Sequence, residues 1–172
     1  MEVEKAIRTR RTHKAFGALE LSREQIGELI ELARWAPNHH VTNPWRFRVI
    51  GPRTRERLMA LAEAEQPGSA VKLQRAPTLI AASALRGEDD AQNREDLLAS
   101  AVAAYLVLLG AHARGLAGYW RTVALLDTPA GREILGLPDG ETPVGVLYLG
   151  EPVQDQRVPD RAPLEQILSW LD

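Results

Sequence analysis

The chain has 172 residues, 45% hydrophobic and 26% charged, a balance that fits one packed globular domain and neither a disordered nor a membrane-embedded chain. A formal net charge of −2 is far from the basic footprint of a nucleic-acid-binding protein. No apolar run reaches the roughly 20 residues of a bilayer span, and the absence of cysteine removes disulfides, thiolate nucleophiles and cysteine metal sites. The opening MEVEKAIRTRR lacks the apolar core of a secretion signal, so the expected location is the cytoplasm.

Glu2 to Thr9 reads as a first helix with Val3, Ala6 and Ile7 on one side, and the basic residues Arg8, Arg10, Arg11 and Lys14 cluster around its end. Ser22 and Gln25 have the spacing of a capping box, and Leu21 can staple onto Ile26, so a second helix starts at Ser22. Its apolar face is Ile26, Leu29, Ile30, Ala33 and Ala36, and Pro37 closes it. A loop from Asn38 to Pro44 leads into a strand at Trp45 to Ile50. Gly51 and Pro52 open a third helix, which turns Leu58, Leu61 and Ala62 inward and breaks before Pro67.

Thr78 to Leu85 is a small, apolar run of the kind found in buried strands, and the polar segment Arg86 to Gln92 is the expected mobile loop. The next helix, about Asn93 to Arg114, is apolar on most sides from Leu97 onward and ends at a left-handed cap on Gly115. Such a helix belongs in the middle of a domain or at a subunit interface. A strand at Leu116 to Trp120, a helix at Thr128 to Leu135, a strand at Val144 to Leu149 and a last helix at Pro163 to Leu171 complete the chain. The interleaving predicts a sheet covered by helices. Neither GxGxxG nor GxxxxGKS occurs, which argues against Rossmann and P-loop chemistry.

Of the four histidines, His39 and His40 are adjacent in a loop without the spacing of a zinc site, and His112 is expected to be a structural hydrogen-bonding residue. No serine sits in a nucleophile elbow. What remains is arginine chemistry. Arg10, Arg11, Thr12 and Lys14 combine forked donors, a hydroxyl and a point charge, and two readings stand side by side: a solvated basic turn, or a cradle for a phosphate. Arg132 follows Thr128 and Pro129 at a helix start, where peptide donors favour anions; its alternative is a surface arginine answering Glu133 or Asp139.

The segments RTRRTHKAF, ARWAPNHHVTNPWRF and GLAGYWRTVALLDTPAGREILGLPDGETPVGVLYLG, in this order and spacing between Ala6 and Gly150, resemble the FMN-dependent nitroreductase family, particularly its short members. The resemblance implies an α+β fold, a three-layer α/β/α sandwich with a mixed, mainly antiparallel sheet. It also implies one FMN-binding domain over residues 1–172 and a homodimer with FMN at the subunit interface. Arg10, Arg11 and Thr12 match the triplet that opens the flavin site, and Lys14 matches a basic residue whose charge would tune the reduced ring. Trp35, His39 and Asn43 match positions near the cofactor, and Trp120, Arg121 and Thr122 match a segment that lines it from the other side. Arg132 matches an arginine that reaches the phosphate end.

The implied activity is oxidation of NADH or NADPH with reduction of a small acceptor such as a nitroaromatic, quinone or enone. The flavin carries the chemistry, no side chain is assigned a catalytic step, and no nucleic-acid or membrane partner is implied. Two alternatives stay open: a flavin-dependent dehydrogenase of one metabolite, and a non-catalytic flavin-binding or scaffold protein. The second is motivated by Trp35 and Asn43, which depart from the family's common choices.

Overall fold

One sheet organises the chain, and the computed structural model describes residues 1–171 of it. Its strands are β1 (Trp45–Val49), β2 (Thr78–Leu85), β3 (Ala117–Arg121) and β4 (Glu141–Gly150), in the spatial order β1-β2-β4-β3 with every neighbouring pair antiparallel. A single parallel bridge between Thr12 and Gly118 lays the N-terminal segment beside β3 and makes the sheet mixed. The β2 strand carries only small and apolar residues apart from Thr78 and Ser83, because it has a strand on either side and packed layers on both faces. The register between β2 and β4 shifts at Ala82 and Ser83, so that Ala82 faces Gly145, Ser83 faces Pro143 and Val144 is left over. Pro143 has no N–H for the ladder, which fits its place in a bulge.

Helices cover both faces: α1 (Val3–Thr9), α2 (Arg23–Ala33), α3 (Pro52–Glu65), α4 (Asp90–Ala113) and α5 (Pro129–Leu135). Strand alternation splits the core in two. Ile80, Ala82, Leu147 and Leu149 pack under Leu29 and Ala33 of α2 and Ala103, Val107 and Ala111 of α4. Leu79, Ala81, Val146 and Tyr148 pack on the other face under Leu58 and Ala62 of α3 and Leu135 of α5. The result is the three-layer α+β sandwich that the resemblance implies.

The capping box forms as its spacing requires: the Gln25 N–H donates to Ser22 Oγ at 3.2 Å and the Ser22 N–H to Gln25 Oε1 at 2.9 Å. The β2 limits coincide with the predicted ones, and Gly115 has φ +78° at the end of α4.

Three expectations are corrected. The Arg86 to Gln92 loop is shorter than expected, because Asp89 caps α4 by accepting from the Gln92 N–H at 2.8 Å and the helix starts at Asp90. The Gly87 N–H is also tied to Asn93 Oδ1 at 2.8 Å. The helix from Ser22 ends at Ala33 rather than running to Pro37. Pro163 to Leu171 is not a helix: only a 3₁₀ turn at Leu164–Gln166 forms, and Leu164, Ile167, Leu168, Trp170 and Leu171 are exposed. A helix this short needs a surface for its apolar face, and one copy of the chain offers it none.

Candidate functional site

At the end of α1 the chain turns at Arg10, whose N–H still bonds to the Ala6 carbonyl, and runs alongside β3. Along this extended stretch Arg10 and Thr12 face a cavity of about 300 Å³ closed by Tyr105 and Leu108 of α4, Trp120 of β3 and Thr122. The Arg10 guanidinium carbon lies 5.8 Å from the centre of the Tyr105 ring, within cation–π range. Trp120 is fixed by its indole N–H, which donates to the Val144 carbonyl at 3.1 Å. Gly145 makes this position available: its φ is +144°, and a Cβ there would stand 2.5 Å from Trp120 Nε1.

Arg10 and Thr12 also wall a second cavity of about 260 Å³, completed by Arg11, Gln156, Arg157, Pro159 and Arg161. Four arginines line it, with no Asp or Glu among the described lining residues. Arg11 Nη1 is held by the carbonyls of Arg8 and Arg10 at 2.7 and 2.8 Å, and Arg157 has only an exposed partner, Asp160, at 3.6 Å. Like charges gathered around one space repel unless an anion joins them, and forked donors fit the oxygens of a phosphate or a carboxylate. Arg157 and Arg161 were not singled out from sequence. They reach the cavity because Phe16 bridges Pro152 and the Gly17 N–H bonds the Glu151 carbonyl at 2.9 Å, which returns the C-terminal segment to the N-terminal one.

The structure thus brings Arg10, Arg11, Thr12, Trp120 and Thr122 together. It places the other sequence candidates elsewhere in the single chain. Lys14 is exposed and lines neither cavity. Trp35 stands past the end of α2 with 79% of its surface exposed. His39 Nδ1 is 2.6 Å from Glu95 Oε2, at a separate surface hollow that includes Leu98 and Val102. Arg121 follows Trp120 in β3, and its side chain therefore leaves by the opposite face, where it lines a separate hollow together with Glu65 and Lys72. Arg132 Nη2 donates to the carbonyls of Pro138 and Glu141 at 2.5 and 3.0 Å, closing the turn before β4, and pairs with neither Glu133 nor Asp139.

Asn43 belongs to a strained loop in which His40, Val41 and Asn43 have φ of +51°, +55° and +48°. Such residues cost about 1–3 kcal/mol each unless their surroundings fix them. Asn38 Oδ1 accepts from the Asn43 N–H at 2.9 Å, and the Thr42 hydroxyl donates to buried Asp96 at 2.6 Å.

The nitroreductase family profile matches residues 7–151. The chain belongs to the nitroreductase family. It is 34% identical over 140 residues to the Escherichia coli (strain K12) protein named "Putative NAD(P)H nitroreductase YdjA", which covers 75% of this chain and 76% of that one. Among solved structures, the nitroreductase-like family protein of Bacillus cereus superposes with a TM-score of 0.90 at 23% identity, over 99% of this chain and 96% of the other. The Exiguobacterium sibiricum protein named "putative nitroreductase", solved in complex with FMN, gives 0.85 at 19% identity over 99% and 98%. At these identities the likeness to solved structures is one of fold.

Proposed function

We propose that this nitroreductase-family chain is an FMN-dependent NAD(P)H oxidoreductase that reduces small acceptors such as nitroaromatics, quinones or enones, and that it works as a homodimer. The observation that carries the reading is the four-arginine cavity joined, through Arg10 and Thr12, to a cavity lined by Tyr105, Leu108 and Trp120. The first suits a phosphate and the second suits part of a flat ring system, so the residues present fit FMN. The complex of the Exiguobacterium relative with FMN supports the choice of cofactor.

When bound, FMN would supply the electron transfer between a reduced nicotinamide and the acceptor. Arg10, Arg11, Arg157 and Arg161 would hold its phosphate by charge-assisted hydrogen bonds, with Thr12 adding a hydroxyl. Tyr105, Leu108 and Trp120 would keep water from one side of the ring. Lys14, which lines neither cavity in one chain, would act on the reduced ring only through its charge, at longer range.

A second copy of the chain is supported by two unpartnered apolar surfaces: Leu97, Leu98 and Val102 on α4, and Leu164, Ile167, Leu168 and Trp170 in the C-terminal segment. In such a dimer Trp35, His39 and Asn43 of one subunit would complete the site of the other, which accounts for their distance from Arg10 within one chain.

The test is the visible spectrum of the purified protein with its extracted cofactor, followed by anaerobic addition of NADH or NADPH. Yellow protein that bleaches supports the reading. Colourless protein that neither retains nor takes up FMN overturns it and favours the scaffold alternative. Turnover of one acceptor alone out of a broad panel would favour the dedicated dehydrogenase.

A further inference from the structure

Behind the arginine cradle lies a cavity of about 430 Å³, lined by Thr9, Arg11, His13, His112, Gln154 and Asp155 among others, with Arg11 and Gln156 as the wall common to both. His13 is nine-tenths buried, and its Nδ1 has no hydrogen-bond partner among the described residues. His112 Nε2 is 2.8 Å from the Thr9 hydroxyl, whose single proton goes to the Lys5 carbonyl at 2.6 Å. Thr9 must therefore accept from His112, which fixes the proton of neutral His112 on Nε2 and leaves its Nδ1 lone pair free.

Burial, and then the charge of Arg10, holds His13 below the usual histidine pKa; burial, followed by Arg10, His13 and Arg11, does the same to His112. The other charged groups around the pair are few. Asp155 and the N-terminal residue Met1 line the same cavity, and Arg114, two residues beyond His112, is turned to Glu28 at 3.5 Å.

We propose that His13 and His112, in the cavity behind the phosphate cradle, take up a proton as an anionic phosphate binds and so couple cofactor retention to pH. The proposal rests on reading the cradle as the FMN phosphate site. A phosphate between Arg10 and Arg11 cancels the part of the electrostatic penalty that those arginines impose, while the burial penalty stays. The histidines are then more basic in the occupied state than in the empty one. By linkage, phosphate affinity gains as pH falls below the ordinary histidine value of 6.5. The second ionisation of the phosphate, near pKa about 6, acts in the opposite direction, so the histidine contribution is read as a difference.

The experiment titrates the full chain with FMN and with riboflavin, by fluorescence, at about pH 7.5 and about pH 5, the lower value lying well under the ordinary histidine range because burial holds both rings below it. His112→Gln, whose amide can still donate to Thr9, and His13→Asn are compared with the parent. Between the two pH values the variants should lose about fivefold more FMN affinity than the parent, with no such difference for riboflavin, which lacks the phosphate. The parent alone gives a second readout through the ring proton resonances of its four histidines. Two of them should titrate at higher pH with FMN bound than with riboflavin bound. FMN binding with identical pH dependence in parent and variants, and unmoved histidine titrations, overturns this inference alone. Failure of FMN to bind at either pH overturns the functional reading as well.

Discussion

The Arg48 guanidinium of β1 reaches across β2 to Glu141 at the start of β4, donating to its two carboxylate oxygens at 2.7 and 2.8 Å. The Ser83 hydroxyl of the intervening strand donates to the same carboxylate at 2.5 Å. Three strands are thereby tied at one end by a carboxylate that is only 4% exposed. The Arg48 hydrogen bonds hold the Glu141 carboxyl below the usual carboxylate range, with burial opposing them, and Glu141 in turn raises Arg48. Removing one partner of a buried pair leaves the other charge uncompensated. Arg48→Met should lower the unfolding free energy by about 3 kcal/mol in a urea titration. The pH dependence follows from the depressed acid. Its contribution is complete above the unfolded value of 4.5 and is lost as pH falls through the lower folded value, so the parent should lose more stability than Arg48→Met on acidification below 4.5.

Gly145 and Trp120 form a second dependency. A methyl group on residue 145 would meet the indole nitrogen and the Arg121 carbonyl, the latter at 2.8 Å, in a backbone conformation that L residues rarely adopt. Gly145→Ala should cost about 1–3 kcal/mol of stability through overpacking and backbone strain. It should also shift the tryptophan emission and weaken FMN and riboflavin alike, because the ring side of the site moves and the phosphate side does not. Unchanged emission and unchanged flavin affinity would show that Trp120 keeps its place without the glycine.

The arginines separate by task. Arg10→Ala and Arg161→Ala should each weaken FMN binding by about ten- to a hundredfold, the worth of one charge-assisted bond, and leave riboflavin binding almost unchanged. Arg132→Ala should lower stability by about 1–2 kcal/mol, because two carbonyls lose their donor, and should change FMN affinity little. A loss of FMN affinity in Arg132→Ala equal to that of Arg10→Ala would restore Arg132 to the phosphate, as the resemblance implies.

How much of this was legible in the sequence depends on the range of the interactions. Ser22 with Gln25, Gly51 with Pro52, and Gly115 act within one helical turn, and their signals sit in consecutive residues. Thr78–Leu85 was legible because a strand covered on both faces carries an uninterrupted small and apolar run. Arg157 and Arg161 were not legible, since the tail is returned to Arg10 by long-range contacts, the Phe16–Pro152 bridge and the Gly17–Glu151 hydrogen bond. The opposite directions of Trp120 and Arg121 follow from the two-residue repeat of a strand, which the resemblance, placing both beside the flavin, overrode. Leu164, Ile167, Leu168 and Leu171 have helical spacing, but a face without a surface to cover does not make a helix in one copy of the chain.

The same missing surface leads to the last prediction. Leu98 and Val102 lie one helical turn apart on α4 with 59% and 39% of their surfaces exposed, beside the hollow that holds His39 and Glu95. If a second copy covers them, a charge introduced there must be desolvated on association, whereas in a free monomer it stays in water. Leu98→Glu should therefore leave the fold intact, with an unchanged far-ultraviolet spectrum, and shift sedimentation equilibrium toward a mass near 19.0 kDa. FMN affinity should fall as the dimer is lost, because Trp35, His39 and Asn43 would no longer be supplied to the neighbouring site. Raising the protein concentration should restore both together, in proportion to the dimer present. A parent protein that sediments as a monomer at all concentrations and binds FMN would remove the shared-site arrangement and assign the whole cofactor site to the Arg10, Trp120 and Arg161 side of a single chain.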